Sequence, residues 1–140
     1  MNKEVFFAVI RIKNLDDNFS RPNIAEETLR ELGFRSSTAN EIDLYCYCLL
    51  PVELHMLFSI AGSPGKDAGS WITAFKRTLG RRINRLFGIK LLWDRVQTLE
   101  PVKGETKIDE SCNKLLDTPV REGLVDEVRD FKYCRFIKKP

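Results

Sequence analysis

Residues 42–60, IDLYCYCLLPVELHMLFSI, decide the fold of this chain. The stretch contains two runs that are rich in apolar and aromatic residues, 42–50 and 54–60, joined at Pro51, Val52 and Glu53. Two strands that are separated by so short a connection pair with each other in antiparallel fashion. The sequence therefore predicts a β-hairpin, and the other elements are arranged around it.

Further elements are predicted on both sides of the hairpin. Residues 4–12 are rich in Val, Ile and Phe, which is typical of a buried first strand. Pro22 suits the first turn of a helix and Gly33 its C-terminal end, so residues 23–32 predict a helix. Residues 70–87 carry apolar side chains at helical spacing and end at Gly88. We also expect a loop at 61–69, a strand at 91–99, a helix at 108–116 and a compact segment at 119–125.

This order of elements predicts an α+β sandwich, in which a mainly antiparallel sheet carries helices packed on one face. The chain has 140 residues, of which 43% are hydrophobic and 31% charged, the balance of an ordinary globular protein. Such a length corresponds to about one domain, so we expect one domain over residues 1–140. The composition excludes a disordered tail, a fibre and a bare repeat array.

The compartment is inferred from the absence of targeting signals. No apolar run reaches the ~20 residues of a membrane span, and the N-terminus carries both an acid and a base, unlike a signal peptide. We therefore expect a cytoplasmic protein with no membrane partner. The four cysteines do not form two closely spaced pairs, so they indicate buried free thiols in a reducing compartment and not a zinc site. They are Cys46, Cys48, Cys112 and Cys134.

The positive charge is concentrated in one window, although the net charge is only +3. Residues 68–93 contain no acid. Arg77, Arg81 and Arg85 recur at every fourth position of the predicted helix, opposite its apolar stripe. This pattern indicates a polyanion partner or an anionic substrate, and a solvated helix face is the alternative. The other basic residues of the window are Lys76, Arg82 and Lys90.

The only histidine, His55, lies two residues after Glu53. If Glu53 has strand geometry, the period of two places both side chains on the same face of the strand. A carboxylate beside an imidazole can hold Mg²⁺, Mn²⁺ or Zn²⁺. The alternative is an exposed turn glutamate next to a hydrogen-bonded sheet histidine.

Residues 47–58 resemble the strand-turn-strand signature of the single-tyrosine HUH transposases, particularly their REP-associated branch. In that family an aromatic-rich strand runs into a Met-Pro-Asn-His-Val-His-Leu-Leu hairpin, and its two histidines hold the metal used to cut single-stranded DNA. Pro51 matches the proline and His55 the second histidine, whereas Glu53 stands in place of the first.

The resemblance continues along the chain. Residues 71–88 are similar to the family's basic helix with its Arg-Arg-x-Asn-Arg run, and Leu92 and Trp93 match a following Leu-Trp. Residues 119–125 are similar to its Asn-Pro-Val-Arg-x-Gly-Leu-Val segment, with Thr118 in place of the asparagine. The resemblance implies a ferredoxin-like two-layer α+β fold, a role in DNA transposition by a mobile element, and single-stranded or hairpin DNA as the partner.

The family's nucleophile is missing from this sequence. The resemblance implies a tyrosine on the helix after the His-x-His strand, which attacks the DNA phosphate and becomes linked to it. The tyrosines here are Tyr45, Tyr47 and Tyr133, all outside residues 70–87. The plausible helix positions hold Thr78, Leu79, Arg82 and Ile83. Neither threonine nor arginine replaces a phenolate in this reaction, so we predict a degenerate member with little or no strand-transfer activity.

DNA binding without full chemistry is the resulting prediction. Glu53 and His55 are the expected ligands of Mg²⁺ or Mn²⁺, without an identified third ligand. Trp93 is expected either to stack on an unpaired base or to fill the rim of the core. The predicted DNA-contacting residues are Lys76, Arg77, Arg81, Arg82, Arg85, Lys90 and Trp93.

The rival hypothesis is an interaction or regulatory module that has the same fold and no longer binds DNA. In that case Arg77, Arg81 and Arg85 would pair with acids of the chain, such as Glu122, Glu127 or Asp130. Because relatives include dimers that share active sites, the resemblance also leaves a homodimer open.

Overall fold

The fold is known from a computed structural model, which describes residues 4–61 and 67–140. Within them, five strands form one antiparallel sheet in the order β4-β1-β3-β2-β5. The strands are β1 Val5–Arg11, β2 Ile42–Leu49, β3 Glu53–Ile60, β4 Thr98–Val102 and β5 Cys134–Phe136. The helices are α1 Pro22–Gly33, α2 Ala68–Phe87, α3 Glu105–Leu116 and α4 Thr118–Arg121. Shorter turns are a π-helical turn at Phe34–Thr38 and a 3₁₀ turn at Val128–Asp130.

The predicted hairpin is confirmed and lies at the centre of the sheet. β2 and β3 pair antiparallel with Leu49 opposite Leu54, and β1 pairs with the other edge of β3. Because side chains of a strand alternate between faces, Leu54, Met56 and Phe58 point to one side of the sheet. Glu53 and His55, which alternate with them, point to the other side.

Helices cover both faces of the sheet. The predicted α+β fold with an antiparallel sheet is confirmed, and the expected placement on one face holds for α1 and α2. α3 instead packs on the opposite face, over Cys46, Cys48 and Leu57. The physical reason is that β2 and β3 bury apolar side chains on both sides, so each side requires a cover.

The last long strand begins later than predicted. β4 is Thr98–Val102, whereas Trp93 makes only an isolated bridge to Ile12. Ile12 follows Val9 by three positions, whereas Thr98 follows Trp93 by five, so the chain bulges between the two contacts. The apolar run 91–93 was predicted as a strand because it is apolar, but its side chains pack at the rim of the core.

α2 confirms the predicted helix, with defined ends. The Asp67 side chain accepts a hydrogen bond from the Ser70 amide at 2.6 Å, which caps the N-terminus. Gly88, at φ 68°, ends the helix in the left-handed conformation that favours glycine.

Of the loop predicted at 61–69, residues 62–66 lie outside the described residues. Among the helices of the described ranges, none is long and apolar enough to cross a membrane.

Candidate functional site

Glu53 and His55 lie side by side on β3, as the period of two predicts. His55 Nε2 is 3.2 Å from Glu53 Oε1. The side chains of Glu53 and His55 are 13% and 14% exposed. The ring of Phe7, on the neighbouring strand, meets the imidazole edge-on with its centroid 6.0 Å away. The two groups therefore form a shielded pair on the face that α3 covers.

Arg11 binds the carboxylate of this pair. It stands opposite Glu53 in the β1–β3 register. Its Nε donates a hydrogen bond to Glu53 Oε2 at 2.8 Å, and its Nη2 donates to the same oxygen. Burial alone would raise the pKa of Glu53, but the hydrogen bonds from Arg11 and His55 outweigh it and lower that pKa. The carboxylate is therefore held ionised, with both oxygens engaged.

The residues at this site do not fit a divalent cation. Arg11 already supplies the positive charge beside Glu53, and His55 directs Nε2 at the same carboxylate. Within residues 4–61 and 67–140, no group of three or more His, Cys, Asp or Glu side chains could hold a metal ion. The expected Mg²⁺ or Mn²⁺ ligands are thus brought together, but as part of an internal ion pair.

We expect millimolar Mn²⁺ to leave the melting temperature of the protein unchanged, because a ligand stabilises a fold only by binding it. Differential scanning fluorimetry with and without Mn²⁺ measures this. A saturable rise in melting temperature that is lost in His55→Ala would contradict the assignment.

α2 lies on the opposite face of the sheet from Glu53 and His55. Leu79 and Ile83 are fully buried in the core between α2 and the sheet. Thr78 accepts a hydrogen bond from Arg35 Nη2 at 3.1 Å, and Arg82 Nε donates to Glu27 at 2.6 Å. α2 therefore does not face the pair, because its apolar stripe packs on the other side of β3.

α3 is the helix that covers the face of the pair, and its sequence ETKIDESCNKLL has no tyrosine. The Tyr45 hydroxyl donates to Ser59 Oγ at 2.9 Å, four residues along β3 from His55. Burial raises the pKa of Tyr47, which opposes formation of a phenolate. Tyr133 precedes β5 and packs edge-on against Phe131. No tyrosine lies on a helix in the part of the chain that the structure describes.

Three arginines form the outward surface of α2. Arg77, Arg81 and Arg85 are exposed and lie opposite the buried stripe, and we call them the arginine face. No ion pair joins any of them to an acid among the described residues. Glu127, one of the acids expected as a partner in the rival hypothesis, instead contacts Arg129 at 2.6 Å. The arginine face therefore presents its charge to solvent.

Two other residues of the predicted DNA interface, Lys76 and Trp93, contact groups within the protein. Lys76 Nζ donates to Gln97 at 3.1 Å and lies 5.5 Å from the centroid of the Trp93 ring. Burial lowers the pKa of Lys76. Trp93 is half-buried beside Gly80 at the rim of the core, which is the second of its two predicted roles. Lys90 is exposed just beyond the end of α2.

Sequence reasoning missed Arg11. It is the charged residue of the otherwise apolar strand β1, and a charge in such a strand indicates a specific hydrogen-bonding or ion-pair partner. Its partner lies 42 residues away, however, and the contact depends on the strand register. The arginine face and the Glu53–His55 pair lie on opposite sides of the sheet, so the two groups that the sequence singled out do not form one cleft.

Solved structures share this fold, and two of them are transposases. One is a REP-associated tyrosine transposase bound to a REP hairpin, with a TM-score of 0.70 and 12% sequence identity, covering 96% of this chain and 77% of that chain. Another is a candidate transposase from Deinococcus radiodurans, with a TM-score of 0.60 and 16% identity, covering 81% of this chain and 90% of that chain.

The structural neighbours agree with the transposase resemblance of the sequence motifs. No protein-family model and no curated protein sequence matches the chain. The structural similarity extends over nearly the whole chain at low identity, so the shared property is the fold. The chain therefore has the α+β fold of these transposase structures.

Proposed function

We propose that this protein binds single-stranded or hairpin DNA through the arginine face of α2 and has lost the chemistry of strand transfer. The observation that carries the proposal is the set of three exposed arginines, at every fourth position, without acid partners among the described residues. Unpaired guanidinium groups on one helix face are suited to phosphate oxygens, which they bind by charge-assisted hydrogen bonds.

The dimensions of the arginine face suit a nucleic-acid backbone. Arg77 and Arg85 are eight residues apart, which corresponds to about 12 Å along a helix. That length equals the axial rise of three to four nucleotides in a DNA duplex, at about 3.4 Å each. The absence of acids from residues 68–93 removes repulsion of phosphates from the helix itself. Lys90 is a further exposed cation just past the end of α2.

The choice of hairpin DNA is supported by the structural neighbour. A protein with this fold is a tyrosine transposase bound to a REP hairpin. At 12% identity this likeness concerns the fold, so the ligand is transferred to the present chain as a proposal. It agrees with the charge of the arginine face, which was inferred independently of the neighbour.

Two observations support the loss of strand-transfer activity. The helices in the described part of the chain carry no tyrosine that could attack a phosphate. The Glu53 carboxylate is neutralised by Arg11 and not left open to a metal ion. Either change would impair a metal-dependent reaction with a tyrosine nucleophile.

The proposal is tested with an end-labelled DNA hairpin that carries a single-stranded tail, incubated with the protein in the presence of Mn²⁺. We expect a retarded band on a native gel and uncut DNA on a denaturing gel. A covalent protein–DNA adduct or a cleaved strand would overturn the loss of chemistry. Absence of a retarded band at low salt would overturn DNA binding and favour the interaction module.

A further inference from the structure

The four cysteines, which come from three separate segments of the sequence, gather on the α3 side of the sheet. Cys46 and Cys48 come from β2, Cys112 from α3 and Cys134 from β5. All four are free thiols. Cys48 and Cys134 stand directly opposite each other on neighbouring antiparallel strands.

The strand register gives the Cys48–Cys134 pair the geometry of a disulfide. The Leu49 amide donates to the Tyr133 carbonyl at 2.9 Å, so Leu49 and Tyr133 are a hydrogen-bonded pair. The adjacent pair, Cys48 with Cys134, is then non-hydrogen-bonded, with Cα atoms about 4.5 Å apart. Disulfides join residues whose Cα atoms are about 4.4–6.8 Å apart. The two sulfurs can therefore be joined without moving the backbone.

We propose that Cys48 and Cys134 form a reversible disulfide when the protein meets a low-molecular-weight disulfide as oxidant. The inference rests on the strand register and on the partial exposure of Cys134, and it does not depend on DNA binding.

The environments of the two thiols assign them different roles. Cys134 is half-buried, whereas Cys48 has no exposed surface. A hydrogen bond between them lowers the pKa of Cys134 and raises the pKa of Cys48, which burial raises further. Because the thiolate is the attacking form, Cys134 is the thiol that reacts first with an oxidant from solution.

The exchange proceeds in two balanced steps. The Cys134 thiolate attacks one sulfur of the small disulfide, forms a mixed disulfide and releases one small thiolate, which takes up a proton from solvent. Cys48 then loses its proton and attacks the Cys134 sulfur, which breaks the mixed disulfide and releases the second small thiolate. Two protein thiols are oxidised, and one small disulfide is reduced to two thiols.

The other two thiols are less suited to this reaction. Cys46 and Cys112 are both buried and lie next to each other, one on β2 and one on α3. Burial raises the pKa of Cys46. Neither sulfur is placed to meet the oxidant first, so they serve as internal controls.

The disulfide would link the edge strand β5 covalently to β2. β5 is a three-residue edge strand, held to β2 by backbone hydrogen bonds. A covalent bond to Cys48 would prevent β5 from separating and would also constrain the unfolded chain. Since His55 is opposite Cys48 on β3, the oxidised pair would also sit beside the Glu53–His55 pair.

The test treats the folded protein with oxidised glutathione, alkylates the remaining thiols in denaturant and maps the peptides by mass spectrometry. We expect two of the four thiols to resist alkylation, a linked peptide pair that contains Cys48 and Cys134, and recovery of all four thiols with dithiothreitol. The oxidised protein should melt at a higher temperature than the reduced protein.

Two variants make the outcome specific. Cys134→Ser should abolish the intramolecular link, whereas Cys112→Ser should leave it intact. Four alkylated thiols after oxidation, a link between Cys46 and Cys112, or a mixed disulfide that persists at Cys134 would each overturn the proposal.

Discussion

Simultaneous replacement of Arg77, Arg81 and Arg85 by alanine is expected to lower the affinity for a tailed DNA hairpin on the order of 100-fold near ~0.1 M salt. Each phosphate contact that is lost also lowers the slope of log affinity against log salt by about 0.7 to 0.9, so the slope should fall by about 2 to 3. Fluorescence anisotropy across a salt series measures both quantities.

The matched control removes three other arginines. Arg21, Arg30 and Arg129 are at least half exposed, and each contacts an acid. Their joint replacement by alanine changes the net charge by the same amount as the first variant, yet we expect only a few-fold loss of affinity. Equal losses in the two triple variants would mean that overall charge, and not the arginine face, binds the DNA.

The loss of affinity should not reflect unfolding. The arginine face points away from the core, and its members have no ion pairs among the described residues. Surface replacements of this kind change the free energy of unfolding by about 0.5 kcal/mol or less each. Circular dichroism and the melting temperature of the triple variant should therefore resemble those of the unmodified protein.

Phe58→Ala is expected to lower the free energy of unfolding by about 3–5 kcal/mol, the range for a buried phenylalanine. Phe58 has no exposed surface and lies on the central strand β3. Its ring centroid is 5.5 Å from that of Trp71 and 6.0 Å from that of Phe6. The variant leaves a cavity between the sheet and α2. Urea unfolding followed by tryptophan fluorescence measures the change.

Phe136 is the control for this prediction. It lies on the edge strand β5 and is 48% exposed. Phe136→Ala should change the free energy of unfolding by less than about 1 kcal/mol. If the two phenylalanine variants lost similar stability, the position of the core between α2 and the sheet would be contradicted.

The hairpin and the long helix could be predicted because their signals are local. The two apolar runs in 42–60 and the short connection between them determine which strands pair. The helical spacing of apolar residues in 70–87 determines which side of α2 is buried and, with it, which side carries Arg77, Arg81 and Arg85. The same-face position of Glu53 and His55 follows equally from the period of a strand.

The contacts between distant segments could not be predicted. Arg11 reaches Glu53 because β1 pairs with β3 in one register, which no local pattern specifies. Arg82 and Lys76 look as free as Arg81 in the sequence, yet they contact Glu27 and Gln97. Which face of the sheet each helix covers could not be predicted either, because β2 and β3 carry apolar residues on both faces.

The central claim is that the arginine face of α2 binds DNA and that no metal ion at the Glu53–His55 pair is needed. The most direct test is the affinity of the unmodified protein for a tailed hairpin, measured over a series of salt concentrations with and without Mn²⁺. We predict binding at low salt that weakens steeply as salt rises, with a log–log slope of about 2 or more, and no change with Mn²⁺. Absence of binding at low salt would contradict the claim, and binding that requires Mn²⁺ would contradict the metal-free site.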